Sequence, residues 1–272
     1  MPHDISIVIV NYLMKDDIEH CLLTLKEDLH GSTLDVKVVV VDNTPNDGCG
    51  LMLKKEYPSA VYLPQTSNLG FGKAVNVGLK AAAARYYFVC NPDTRFLPDT
   101  RTIERLYRFM EEHPKIGMIG PKLLNENGTL QYSCYRFHQF WMPFLRRSSV
   151  GAHRRFRRVV DHFLMKDFDH SQARPVDWIM GSAMFARASM MEEVGLMDER
   201  YFMYFEDADW CRRFWVAHFP VYYVPFIVIV HRHERGSARE RGLIRSMIKN
   251  KLTRTHIKSW LKYMWKWRML KI

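Results

Sequence analysis

Ile5-Ser6-Ile7-Val8-Ile9-Val10-Asn11 and Val36-Lys37-Val38-Val39-Val40-Val41-Asp42 decide the fold class. Both are short β-branched runs that are largely apolar at both alternating positions, the pattern of a strand covered by helices on two faces. Between them, Ile18, Leu22, Leu25 and Leu29 recur at helical spacing over residues 15–29. Working outward, Ala60–Leu63 reads as a third strand, Phe71–Ala84 as a helix, Tyr86–Cys90 as a fourth strand, and residues 99–113 as a helix opening after Pro98. Strands alternating with helices at this spacing predict an α/β sheet with crossover connections, whose residues 1–120 form a nucleotide-binding half of the doubly wound kind.

The rest of the chain has another texture. Residues 136–175 are aromatic, basic and poorly periodic, which predicts a long loop with short helices. Val176–Arg187 reads as a strand interrupted at Gly181, Glu206–Val216 as a helix, Val221–Val230 as a strand pair bent at Pro225, and Arg241–Leu270 as a long basic helical stretch. With no linker rich in Pro, Gly or Ser, the reading is one domain over residues 1–240, its acceptor half at about 121–240, followed by a basic amphipathic appendage at 241–272.

At 272 residues, 47% hydrophobic and 25% charged, the chain has enough apolar side chains for a full core, which excludes a disordered protein, and nothing recurs at the fixed period of a repeat protein. Val221–Val230 is the longest apolar run and is far shorter than the ~20 residues that span a bilayer. Met1-Pro2-His3-Asp4 lacks the basic start of a secretory leader. Five scattered cysteines with no paired metal-ligand spacing read as reduced thiols of a cytosolic protein. The net charge of +11 is localised: residues 1–230 are balanced, whereas residues 231–272 hold 13 Lys/Arg against 2 Asp/Glu. Arg136–Arg158 adds seven arginines and no acid. Such excess suits a polyanionic partner, a nucleic acid or an anionic membrane.

Ligands of open α/β sheets sit beyond the carboxyl ends of strands. Asn11, Asp42, Asn91 and Asp93 fall there, and a strand-end carboxylate such as Asp42 can accept the ring N–H of uracil or thymine. Asn68-Leu69-Gly70-Phe71-Gly72-Lys73-Ala74-Val75-Asn76-Val77-Gly78 opens a helix with glycines that admit close backbone approach, but its spacing matches neither a Walker loop nor a dinucleotide fingerprint. Asp93 is a candidate seat for Mg²⁺ or Mn²⁺ facing a diphosphate, with His231 as a further ligand and His233 as an alternative. Glu206-Asp207-Ala208-Asp209 follows the aromatic run Tyr201–Phe205. Acids favour helix N-termini in any protein, but three carboxylates behind aromatics form the desolvated, like-charged setting that raises a carboxylate toward general-base use.

The ordered set Ile5–Tyr12, Val38–Asn43, Asn68–Gly78, Asn91-Pro92-Asp93, Val176-Asp177-Trp178 with Gly181-Ser182, and Tyr201–Arg213 resembles family 2 glycosyltransferases of the GT-A fold, most closely the bacterial rhamnosyltransferases of O-antigen and cell-wall assembly. The resemblance spans residues 4–237. It implies a nucleotide-binding, Rossmann-like mixed sheet flanked by helices, a dTDP- or UDP-sugar donor (dTDP-L-rhamnose before a UDP-hexose), inversion at the anomeric carbon, and a divalent metal at the diphosphate. It further implies Asp207 as the base, with Glu206 beside it. On this reading Asn11, Asp42, Asn68, Gly70, Phe71, Asn76, Asn91, Asp93 and Arg213 hold the nucleotide-sugar. Trp178, Gly181 and Glu206 line the acceptor side, and Asp93 and His231 hold the metal. Many relatives have two aspartates where this chain has Asn91 and Asp93.

The acceptor so implied is a lipid-linked saccharide, which places the protein on the inner face of the cell membrane. Lys258, Lys262 and Lys266 form one helical stripe, with Trp260, Met264, Trp267 and Leu270 mainly on another side and Trp265 and Arg268 at the boundary; lysines beside indoles suit an anionic membrane surface. A nucleic-acid-binding protein and a nucleotidyltransferase are the competing readings. The first lacks a recognisable RNA-binding signature, and the second would need a glycine-rich loop after the first strand, where Tyr12-Leu13-Met14-Lys15 has no glycine.

Overall fold

The computed structural model describes residues 1–147, 151, 153–232 and 250–269. Residues 233–249, with His233 and the start of the expected C-terminal helix, lie outside the described residues. The strands are β1 (His3–Asn11), β2 (Val36–Asp42), β3 (Val61–Pro64), β4 (Ala84–Cys90), β5 (Thr94–Phe96), β6 (Met118–Leu124), β7 (Leu130–Gln131), β8 (Cys134–Tyr135), β9 (Arg174–Pro175), β10 (Trp178–Ile179), β11 (Ala183–Arg187) and β12 (Val221–His231). The helices are α1 (Lys15–Asp28), α2 (Cys49–Glu56), α3 (Phe71–Ala81), α4 (Thr102–Glu112), α5 (Met142–Arg147), α6 (Arg154–Phe163), α7 (Ala188–Val194), α8 (Glu206–Val216) and α9 (Lys251–Trp267).

The main sheet runs β3-β2-β1-β4-β11-β6-β12-β5, with β7 beside β6 and β9 beside β12. β1 to β4 pair in parallel. β11 is antiparallel to both β4 and β6, and β6 is parallel to β12. Two reversals cancel, so the carboxyl end of β12 lies on the same edge as those of β1, β2 and β4. The expected mixed α/β sheet is therefore present. Its two faces carry separate cores: Ile5, Ile7 and Ile9 point into one with α1 and α4, while Val8, Val39 and Val41 point into the other with α3 and α8.

Two readings need correction. Val176–Arg187 is not one interrupted strand: β10 pairs with β8 in a small second sheet, while β11 joins the main one. Pro225 does not divide β12; the strand continues through a register shift between Val224 and Val228, where a residue lacking an N–H costs no ladder bond. The short elements α2, β5, β7, β8 and α7 carry too few residues for periodicity to reveal them.

The C-terminal segment is not a loose appendage. α9 buries Trp260, Tyr263 and Trp267 in the larger core, so the two tryptophans expected to face a membrane face the protein, and Trp265 points outward instead. The dock is centred on Asp209, which is fully buried on α8. Asp209 accepts from Lys266 Nζ at 2.8 Å, Trp267 Nε1 at 2.9 Å and Arg213 Nε at 3.0 Å. Ser259 Oγ donates to Met203 O at 2.8 Å, in the loop preceding α8.

Replacing Asp209 with Ala removes the carboxylate partner of Arg213 and one of the two that hold Lys266, which keeps Asp198, and leaves the Trp267 N–H unanswered. The expected loss is about 3 kcal/mol in urea unfolding. A loss within about 0.5 kcal/mol, the range of an ordinary surface substitution, would show that α9 is held by apolar packing alone.

Candidate active site

Three loops meet at the carboxyl edge of the sheet. The first is the turn into α3. Asn68 Oδ1 accepts from Gly70 N at 2.8 Å, and Phe71 N donates to Phe202 O at 2.8 Å. Gly70 has φ of +82°, and a Cβ there would meet Phe202 O at 2.1 Å, so only glycine permits the contact between this turn and the loop before α8.

The second loop ends in α8. Tyr204 and Phe205 both sit in the left-handed region, φ 69° and 71°, which is strained for bulky side chains and turns the chain sharply into Glu206 and Asp207. Asp207 Oδ2 accepts from Gly181 N at 3.0 Å and Oδ1 from Ala208 N at 2.8 Å. A Cβ on Gly181 would lie 3.3 Å from Phe71 and 3.5 Å from Asp207, so Gly181 lets all three loops converge. Burial raises the Asp207 carboxyl above its ordinary range against the pull of those N–H donors. Glu206 is buried, its Oε2 has no hydrogen-bond partner among the described residues, and burial together with the Asp207 charge pushes it up to about 8. One acid of the adjacent pair is thus held protonated at neutral pH while the half-buried one beside it is oriented.

The third loop carries Asn91 and Asp93. Asn91 N donates to Ser182 O at 3.0 Å, one residue on from the Gly181 that anchors Asp207. Antiparallel pairing of Thr94 with His231 sets Asp93 Oδ1 3.2 Å from His231 Nε2. Gln131, which the sequence did not single out, fixes the imidazole. Its Nε2 donates to Asn125 Oδ1 and His231 O, so Oε1 faces His231 Nδ1 at 2.6 Å. Nδ1 therefore carries a proton, and Nε2 faces Asp93 and Asn91. A carboxylate and an imidazole nitrogen converging this closely, behind a buried orienting amide, are a donor set that fits a divalent cation.

Asp42, Asp47 and Cys49 also bring ligand atoms within 4.8 Å of one another. Asn11 Nδ2, however, donates to Asp42 and to Asp47, each at 2.8 Å, and burial pushes the Cys49 thiol up to about 12, which keeps it protonated. As it stands, that cluster is a hydrogen-bonded corner in which Asn11 engages both carboxylates.

Five of the expected ligand residues have their side chains engaged by the protein itself. Asp42 is fully buried and accepts from Asn11, Thr44 N and Tyr62 OH, so it presents no outward oxygen to a base. Asn11 is equally buried, with its amide committed to this corner and to Met14 N. Asn76 exchanges hydrogen bonds with the Met197 backbone. Arg213 directs its guanidinium to Val194 O, Leu196 O and Asp209 rather than toward a diphosphate. Trp178 is stacked on Tyr135 and His138, leaving no open ring face for a sugar. Each has the polar or aromatic chemistry of a ligand-binding residue, but the side chain closes on the protein. Besides Gln131, the sequence reading missed Asn43, which ties the end of β2 to Leu69 N and Gly70 O; its place directly after Asp42 was the available signal.

Residues 6–171 match the model of Glycosyl transferase family 2. The N-acetylglucosaminyl-diphospho-decaprenol L-rhamnosyltransferase of Mycobacterium tuberculosis is 28% identical over 255 residues, covering 87% of this chain and 78% of that protein. A hexosyltransferase of low-salt glycan biosynthesis from Haloferax volcanii is 26% identical, covering 78% of this chain and 62% of its own length. Among solved structures, a mannosyltransferase of Pyrobaculum calidifontis in complex with GDP-Man and Mn²⁺ matches with a TM-score of 0.59 at 12% identity, over 100% of this chain and 77% of that one. This likeness establishes the shared GT-A fold.

A carboxyl that titrates at about 8 when folded and near 4.5 when unfolded binds its proton more tightly in the native state. Stability is therefore full at acid pH and falls as pH rises from 4.5 through 8. Glu206→Gln should match the wild type at pH 5 and exceed it by on the order of 2 kcal/mol at pH 9, read from urea unfolding at the two pH values. Parallel pH profiles would show that Glu206 is not held protonated.

Proposed function

The chain belongs to glycosyl transferase family 2, and on that premise we propose that it transfers L-rhamnose from dTDP-L-rhamnose, with inversion, to a hydroxyl of a polyprenyl-diphosphate-linked saccharide. The observation that carries the chemistry is the position of Asp207. Its carboxylate is aimed by Gly181 N and lies beside the Ser182–Asn91 contact that leads to Asp93 and His231. The sugar and acceptor assignments are supported by the rhamnosyltransferase of Mycobacterium tuberculosis, which matches along most of both chains.

In this reading Asp207 removes the proton of the acceptor hydroxyl as its oxygen attacks the anomeric carbon. The bond to the diphosphate breaks on the opposite face, and the nucleoside diphosphate leaves. A single base and direct displacement suffice, and inversion follows. Glu206, kept neutral, adds no second negative charge against the Asp207 carboxylate. Mg²⁺ or Mn²⁺ held by Asp93 and His231 would neutralise charge accumulating on the diphosphate. The turn Asn68–Phe71 offers backbone and a half-buried aromatic ring to the nucleotide-sugar, while Asp42, Asn11 and Asn43 hold its shape from behind. The lipid-linked acceptor puts the reaction at a membrane, with the protein peripheral on its cytoplasmic face; no described helix is long and apolar enough to cross one.

Asp207→Asn keeps the shape and removes the base, so turnover with dTDP-L-rhamnose and a short polyprenyl-diphosphate saccharide should fall roughly 10²–10⁴-fold with donor affinity retained. Retention of more than about a tenth of the rate would place the base elsewhere. Greater thermal stabilisation by UDP-hexoses than by dTDP-L-rhamnose would reassign the donor.

Asp93→Ala should weaken donor binding in Mn²⁺ but not in chelator, measured by calorimetry. Equal wild-type affinity in the two conditions would remove the metal from the scheme.

A further inference from the structure

We infer that the outer face of α9 and the aromatic ridge at its flank form one surface that docks on an anionic lipid bilayer. The outward positions of α9 are Lys251, Arg254, Lys258, Leu261, Lys262, Trp265 and Arg268, recurring every three or four residues along one stripe. Residues 251–272 contain no acid. Trp265 is 63% exposed, with the Arg268 guanidinium over its ring at 4.6 Å.

The second component comes from α5 and the residues just before it. Phe140 and Phe144 pack against Trp260 at 4.9 and 5.2 Å, on the flank of α9, yet both keep exposed faces, and Trp141 beside them is 67% exposed. α6, in contact with α5, adds exposed Arg154, Arg155, Arg157 and Arg158; Asp161 offsets part of that charge through Arg157 and Lys166.

The combination selects among partners. Single-stranded nucleic acid also stacks its bases on aromatic rings beside a basic groove, so the oligonucleotide arm of the test below separates that partner, whereas a protein partner of matching acidity leaves the indole of Trp265 unexplained. At a bilayer interface, indole and phenyl rings sit at the level of the headgroups while lysine and arginine meet lipid phosphates. The stripe also lies close to the reaction centre. Tyr263, on the inner face of α9, packs against Phe205, the residue before Glu206, and against His138, which stacks on Trp178. Docking through α9 brings the catalytic turn to within one helix of the surface from which a lipid-linked acceptor would rise. The inference stands on these side chains and not on the identity of the donor sugar.

The test is co-sedimentation of the full chain with vesicles of phosphatidylcholine containing phosphatidylglycerol, against vesicles of phosphatidylcholine alone, at low and moderate salt. Neither vesicle contains a saccharide acceptor, so a failed transfer assay and failed sedimentation are separate results. The wild type should favour the anionic vesicles, with binding that weakens as salt rises. The pair Lys251→Glu with Lys258→Glu and the pair Trp141→Ser with Trp265→Ser should each reduce binding at least tenfold. Their thermal melts and nucleotide-sugar affinity should stay at wild-type values, which separates loss of the surface from loss of the fold. Equal binding to both vesicle types, unchanged binding by both variant pairs, or salt-dependent binding to random oligonucleotides in place of vesicles would overturn the assignment. Deleting the whole segment is unsuitable, because α9 is part of the core.

Discussion

A single carboxylate without access to water, Asp209, governs how the catalytic half of this protein is assembled. Its two oxygens collect a lysine, an arginine and an indole N–H, of which the lysine and the indole come from α9, more than fifty residues later in the chain. A buried anion is tolerable only when its charge and lone pairs are answered. The requirement is mutual for Arg213, whose carboxylate partner is Asp209, while Lys266 is shared between Asp209 and Asp198. Because Asp209 stands two residues after Asp207, whatever fixes the first turn of α8 also fixes the proposed base. The same dock presses Tyr263 onto Phe205, where the backbone is held in the left-handed region. That strained conformation persists because packing on both sides over-determines it.

The second constraint is directional. Parallel strands β1, β2 and β4 bring their carboxyl ends to one edge, and two antiparallel steps bring β12 back to that edge. Asp93 and His231 are 138 positions apart, yet they come within hydrogen-bonding distance because β5 pairs with the end of β12. Glycines complete the assembly. Gly70 admits Phe202 O and Gly181 admits Phe71 and Asp207, so three loops from different parts of the chain meet where a side chain would hold them apart.

Much of this was legible in the residues. Largely apolar runs such as Ile5–Val10 cannot be exposed on either face, which forces a covered sheet, and the helical spacing between them supplies the cover. The positions of Asn91, Asp93, Asp207 and His231 at element ends marked them as candidates, and the structure gathers them along the same edge. Asn11, Asp42, Asn76 and Arg213 looked equally well placed, yet each turns its polar atoms inward. A strand end or helix turn fixes where a side chain starts, whereas the direction it takes depends on which donors and acceptors the neighbouring segments leave open. The tryptophans of α9 follow the same rule: Trp260 and Trp267 satisfied an amphipathic pattern, but an apolar stripe covers a membrane and a protein core equally well.

The sequence by itself determined the α/β class, the order of most elements, the family resemblance and the concentration of positive charge at the C-terminal end. These follow from periodicity, local motifs and composition, which need no knowledge of distant neighbours. Only the tertiary structure decided that Gln131 orients His231, that Glu206 is kept protonated beside Asp207, and which face of α9 remains in water. Each depends on contacts between segments far apart in the chain, set by sheet order and by the need to answer buried charge, and such contacts leave no period in the sequence.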